Sequence, residues 1–126
     1  MHWITSLICL GVYALTAVGR SLESGTWEGH VAFGRGGSSF SPCGSKETWW
    51  VKSKEFSRSA EKLQEEYNNI AQKPYEPVYV RVSGEISRKG QYGRLGSYQR
   101  VLYVGEVLDI HPKQDDDCKP AQEMSE

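Results

Sequence analysis

The chain has no Lys, Arg, Asp or Glu among its first nineteen residues, although it carries 15 basic and 16 acidic residues in all. Residues 4–18 form an almost unbroken apolar run, shorter than the roughly 20 residues that cross a bilayer. This run predicts a signal peptide over residues 1–19, with Ala17, Val18 and Gly19 as the cleavage site. Because no Lys or Arg precedes the run, an uncleaved anchor or a buried strand is the alternative. We expect a periplasmic or secreted protein that meets the membrane only through this signal.

Motifs of nucleophilic, metalloprotease and nucleotide chemistry are absent: the chain has no Gly-x-Ser-x-Gly, His-Glu-x-x-His or Walker pattern. Beyond the signal it has only His30 and His111, and nothing near Cys43 in sequence activates its thiol. The sequence therefore predicts no enzyme and no cofactor. Export also argues against nucleic acid as a partner.

Cysteine is scarce, with three residues, of which Cys9 lies in the predicted signal. The remaining even pair, Cys43 and Cys118, predicts one disulfide in an oxidising compartment. It would close a loop of 75 residues (118 − 43), a constraint worth about 4–5 kcal/mol. The alternative is that these cysteines, with His30 and His111, bind copper or zinc, although none of them has a tight ligand spacing.

Charge divides the mature chain into two parts. Residues 114–126 hold five acids and one base. This pattern predicts an acidic C-terminal tail, tethered by Cys118 if the disulfide forms. Residues 20–113 are the predicted folded domain. Because no cysteine stands at the predicted cleavage site, we expect a soluble mature protein without a lipid anchor.

Alternating apolar residues predict five strands. Gly105, inside the last of them, predicts a bend. The predicted strands are residues 25–33, 38–42, 48–52, 77–85 and 98–110.

One segment changes period between the third and fourth strands. Apolar residues recur there at steps of three and four, which predicts an amphipathic helix capped by Ser57 or Ser59 and stopped by Pro74. Its apolar stripe consists of Phe56, Ala60, Leu63, Tyr67 and Ile70.

The order of three strands, one helix and two strands predicts a mainly β fold. We expect a five-stranded OB-type Greek-key barrel with the helix plugging one end. Closure buries more apolar surface and removes exposed sheet edges. The alternative is an open α+β sheet with one packed helix.

A basic, aromatic surface is predicted where OB barrels bind ligands, across the second and third strands and the adjoining loops. Bases interleaved with aromatics suit an anionic ligand or a protein partner. The alternative is that the Trp pair is partly core and the bases only keep a loop soluble. The predicted ligand-binding residues are Trp49, Trp50, Tyr79, Arg81, Arg88, Lys89, Tyr92, Arg94, Tyr98 and Arg100.

The chain resembles the C-terminal OB-fold domain of the NlpE-type envelope lipoproteins over about residues 26–118. The similar segments are residues 29–33 (GHVAF), 39–44 (SFSPCG), the helix to Tyr67, 77–84 (PVYVRVSG) and 107–110 (VLDI). The resemblance implies an OB fold, a disulfide that maps onto Cys43 and Cys118, and links to copper tolerance, surface sensing and envelope stress.

Two features of that family are missing from this chain: the N-terminal barrel domain with its Cys-x-x-Cys, and a lipobox. The prediction is therefore an isolated, non-enzymatic, exported OB domain in envelope homeostasis or stress sensing. The redox state of Cys43 and Cys118 would report on the oxidising capacity of the compartment.

Overall fold

Five strands, one α-helix and a short 3-10 helix (Arg94–Gly96) lie within residues 22–119, the part of the chain that the computed structural model describes. The predicted order of elements is confirmed, and the predicted signal peptide lies outside the described residues. No helix within residues 22–119 is long and apolar enough to cross a membrane. The elements are β1 (Glu23–Gly34), β2 (Gly37–Pro42), β3 (Trp49–Ser53), α1 (Ser59–Ile70), β4 (Val78–Ile86) and β5 (Arg100–Pro112).

The sheet closes on itself in the order β1–β2–β3–β5–β4, with β4 pairing back onto β1. All neighbours are antiparallel except β3 and β5, which run parallel from Trp49 opposite Arg100 to Ser53 opposite Val104. β1 begins the closure because it is long enough to pair with β2 through one half and with β4 through most of its length. The predicted closed arrangement is confirmed, and the open sheet is wrong.

A double bulge bends the last strand where it crosses β4. The register shifts between Arg81 and Val82, and again between Ser83 and Gly84. The extra residues on β5 are Leu108 and Gly105, so a bulge lies where the sequence predicts a bend. Leu108 is exposed because the bulge turns it out of the alternation.

The helix begins later than its apolar stripe predicts. Leu63 and Tyr67 are buried, and Ala60 and Ile70 pack against the core. Phe56, however, precedes the helix in the left-handed backbone region and is 99% exposed, so its predicted place on the stripe is wrong. Arg58, and not the predicted Ser57 or Ser59, is the N-cap, and its own side chain makes no capping hydrogen bond. The first N–H groups of the helix donate instead to serine hydroxyls: Ala60 N–H to Ser53 Oγ (2.8 Å) and Ser59 N–H to Ser57 Oγ (3.4 Å).

The two serines have other partners. Ser57 Oγ donates to Lys54 O (2.7 Å), and Ser59 Oγ donates to the carbonyl of Val104. The hydroxyls therefore hold a turn after β3 and fasten the start of the helix to β5.

The core fills the closed sheet with residues from every strand, and α1 covers it with Leu63 and Tyr67. Trp49 faces inward and meets Trp27 edge-on, with ring centroids 5.7 Å apart. The fully buried residues of the strands are Val31, Phe40, Val78, Val80, Val82, Leu102 and Val104.

Candidate functional site

A disulfide joins Cys43, directly after β2, to Cys118, beyond the end of β5. The predicted disulfide is therefore present. Cys118 lies six residues after the end of β5. The disulfide therefore ties this C-terminal segment to the end of β2. We call residues 114–118 the C-terminal strap. This first part of the predicted acidic tail is held against the sheet because Cys118 is bonded to Cys43.

One carboxylate fastens the strap to the outer face of the sheet. Asp117 accepts hydrogen bonds from His30 Nε2 (2.7 Å), His111 Nε2 (3.0 Å) and the backbone N–H of Gln114 (2.8 Å). Its side chain is only 2% exposed. We call these contacts of Asp117 the Asp117 clasp.

The clasp bridges three strands. His30 on β1 and His111 on β5 both lie opposite Tyr79 of β4. The Tyr79 ring stacks on the His111 ring with centroids 4.5 Å apart, and its hydroxyl donates to Glu28 Oε1 (2.5 Å). Tyr79 is consequently only 6% exposed, beneath the two imidazoles.

The contacts of the clasp favour the ionised form of Asp117. Burial on its own would raise the pKa of Asp117, but the Gln114 N–H, followed by His111 and His30, holds that pKa below its usual value. For Tyr79, burial first and the Glu28 acceptor second raise the pKa of the phenol. Asp117 therefore stays ionised at neutral pH, and Tyr79 stays a hydrogen-bond donor.

Metal binding at His30 and His111 has no ready-made site within residues 22–119. No group of three His, Cys, Asp or Glu side chains is arranged there to hold a metal ion. The disulfide occupies both thiols, and both imidazoles are bound to Asp117.

The predicted ligand-binding residues separate into four places. Trp49 belongs to the core, and Tyr79 lies under the clasp. Arg81 is exposed on β4, opposite Glu28 on one side and Asp109 on the other. The remaining seven lie on β3, at the start of β5 or in the loop between β4 and β5.

Glu47 gathers two of the predicted bases. It pairs with Lys89 Nζ (3.0 Å) and Arg100 Nε (3.3 Å), and it accepts the Trp49 indole N–H (2.8 Å). The Trp49 hydrogen bond, and then that of Lys89, lowers the pKa of Glu47. Lys89 and Arg100 are therefore already paired. Sequence reasoning missed Glu47, whose only signal was its place two residues before Trp49.

An aromatic and basic surface remains on the outside of β3. Trp50 stacks on Tyr98 with centroids 6.1 Å apart, and Lys52 Nζ lies 4.7 Å from the Trp50 ring. Sequence reasoning also missed Lys52, although its alternation with Trp50 places both on one face. We call Trp50, Lys52, Tyr98 and the adjoining Arg94 the β3 face.

Glycine brings the loop between β4 and β5 onto this face. Gly93 has a left-handed backbone, and a Cβ there would lie 2.5 Å from Tyr98 Cδ2 and 3.3 Å from Trp50 Cδ2. Tyr92 pairs with Tyr98 through both backbone hydrogen bonds (2.9 and 3.2 Å). Arg94, directly after Gly93, is exposed. The loop therefore brings the backbone at Gly93, one residue before the exposed Arg94, against the stacked rings.

A closed five-stranded sheet, with one helix inserted between the third and fourth strands, defines this protein as an OB-type domain. The family model described as the NlpE C-terminal OB domain matches residues 23–119. The chain belongs to this family, and the resemblance noted in the sequence is confirmed. No curated protein and no solved structure gives a significant match. The family is not a known enzyme family, and membership is consistent with an envelope-related role.

Proposed function

We propose that the chain is a non-enzymatic, exported OB domain that binds an anionic ligand, or an acidic segment of a partner protein, through the β3 face. The observation that carries this proposal is the stack of Trp50 on Tyr98 with Lys52 beside it. A flat ring pair supplies contact area, and the cations supply attraction for the anion. A role in envelope homeostasis or stress sensing fits the family of the domain.

Unpaired cations support the proposal further. Within the part of the chain that the structure describes, Lys52, Arg88 and Arg94 form no ion pair, whereas Lys89 and Arg100 are bound to Glu47. An exposed, unpaired base keeps its attraction for an incoming anion. A base already paired must first give up its partner, so we assign binding to Lys52 and Arg94 and a structural role to Lys89 and Arg100.

The predicted export of the protein also supports the proposal. The signal peptide predicted over residues 1–19 would direct the domain to the periplasm or outside the cell, with no other membrane contact. Nucleic acid is scarce as a ligand there, so we infer an anionic glycan or an acidic protein surface. The absence of a catalytic motif in the sequence supports a binding role over an enzymatic one.

The test uses heparin as a generic polyanion and tryptophan emission as the signal. We expect Lys52→Glu/Arg94→Glu to weaken heparin binding at least about tenfold, because two attractive charges become repulsive. The matched control is Lys62→Glu/Lys73→Glu, which makes the same change in net charge on and after α1. The control should bind nearly as well as the wild type. An equal loss in both double variants, or no binding by the wild type, would contradict the proposal.

The second candidate function is copper or zinc binding by the His30 and His111 imidazoles, which both contact Asp117. It would need the site to rearrange, because no group of three ligands is in place within residues 22–119. Zinc would have to displace Asp117 or use its carboxylate as a ligand. A rise in thermal midpoint with added zinc that His30→Ala abolishes would support this function. An unchanged midpoint would dismiss it for the disulfide-bonded protein.

A further inference from the structure

We propose that Asp117 is a positioning residue for the Cys43–Cys118 disulfide, holding the strap in place whether or not the sulfurs are bonded. The clasp thereby makes the disulfide harder to reduce and quicker to re-form. This inference concerns a different part of the outer face, over β1, β4 and β5, and does not depend on the proposed ligand.

Cys118 is held by its neighbour in the chain. Asp117 directly precedes it, and the Asp117 carboxylate is bound to β1 through His30 and to β5 through His111. The Gln114 N–H closes the strap onto the same carboxylate. None of these contacts involves a sulfur atom. The clasp can therefore keep Cys118 next to the sheet after the disulfide opens.

Cys43 is held independently. Its backbone N–H donates to Glu28 O (2.9 Å), which continues the β1–β2 pairing one residue beyond the end of β2. The Cα atoms of Cys43 and Cys118 lie 5.2 Å apart. With both cysteines held by the folded body, the two thiols of the reduced protein remain neighbours, and their effective concentration is high.

The exchange reaction defines the consequence. A dithiol donates two electrons and two protons: one of its thiolates attacks a protein sulfur, and its second thiol then displaces that sulfur from the mixed disulfide. The products are two protein thiols and a cyclic disulfide. Each contact that keeps the thiols together favours the bonded form. By linkage, the disulfide strengthens the clasp to the same extent as the clasp strengthens the disulfide.

The strap is therefore held to the sheet by two separate attachments, the disulfide and the Asp117 clasp. Opening only the disulfide leaves Tyr79 and the two imidazoles covered, because Asp117 still holds them. Losing only the clasp leaves the strap tied at Cys118. The outer face of β1, β4 and β5 is uncovered only when both open, so reduction of the disulfide alone leaves this face covered.

The test compares Asp117→Asn with Asp115→Asn. Both remove one charge from the strap, but Asp115 is exposed and is not part of the clasp. In the Asp117→Asn variant an amide NH₂ replaces one acceptor oxygen, so the side chain can no longer accept from all three donors. Each protein is equilibrated in mixtures of reduced and oxidised dithiothreitol, alkylated and weighed by mass spectrometry.

We expect Asp117→Asn to shift the exchange constant about tenfold toward the reduced form, equivalent to about 30 mV. Asp115→Asn should match the wild type. In a denaturing concentration of urea the three proteins should give the same constant, because the clasp exists only in the folded chain. Equal constants for wild type and Asp117→Asn under native conditions would overturn the proposal. If Asp117→Asn does not fold, His30→Phe, which removes one donor to Asp117, takes its place with the same expected direction.

Discussion

Replacing Cys43 and Cys118 by serine should remove a large part of the stability of this domain. The disulfide closes a loop of 75 residues, and the chain-entropy model converts this into about 4.5 kcal/mol of unfolding free energy at 25 °C. Small domains have about 5–15 kcal/mol in total. Serine is close to cysteine in size and leaves the Asp117 clasp in place, so little strain should add to the loss.

The assay is urea unfolding followed by tryptophan emission, since Trp27 and Trp49 pack at the core. The wild type in dithiothreitol should match the double serine variant without it. Adding dithiothreitol to the double variant is the control and should change nothing. A loss below about 1 kcal/mol would refute the argument that this bond constrains the unfolded chain.

The structure also predicts how four other substitutions change the stability of the domain. Leu63→Ala should cost about 2–5 kcal/mol in urea unfolding because it empties a core position, whereas Phe56→Ala should stay within about 0.5 kcal/mol; the reverse ranking would contradict the fold. Gly29→Ala should prevent native circular dichroism, since its Cβ would lie 2.2 Å from Ser41 O. The folded pKa of Asp117 lies below its ordinary 3.8, so its stabilisation is present above that pH and is lost as the pH falls below it. Acid titration of Asp117→Asn should therefore show a flatter loss of stability than the wild type, and equal slopes would refute the clasp.

The strands were predictable because burial repeats locally. Val78, Val80 and Val82 alternate along β4, and all three are fully buried. Gly105 likewise marked its bulge through the sequence alone. Phe56 fits the helical period equally well, yet the turn held by the serine hydroxyls excludes it from the helix. Periodicity does not report such local hydrogen bonds.

The site was less predictable because its contacts are distant in sequence. Adjacent residues of a strand face opposite ways, so sequence alone did not decide whether Trp49 or Trp50 is in the core; the pairing with β2 and β5 decides it. Asp117 looked like one member of an acidic tail. Asp117 is held in place by a hydrogen bond from His30, which is 87 residues away in the sequence. No local sequence pattern indicates that contact.

Export of the domain underlies the proposed function, and the Cys43–Cys118 disulfide underlies the role of the strap. The direct measurement is the intact mass of the protein from a periplasmic extract, alkylated with and without prior reduction. We expect a mass that begins near Arg20, with two alkylations that appear only after reduction. A periplasmic protein that is alkylated at Cys43 and Cys118 without reduction would contradict it.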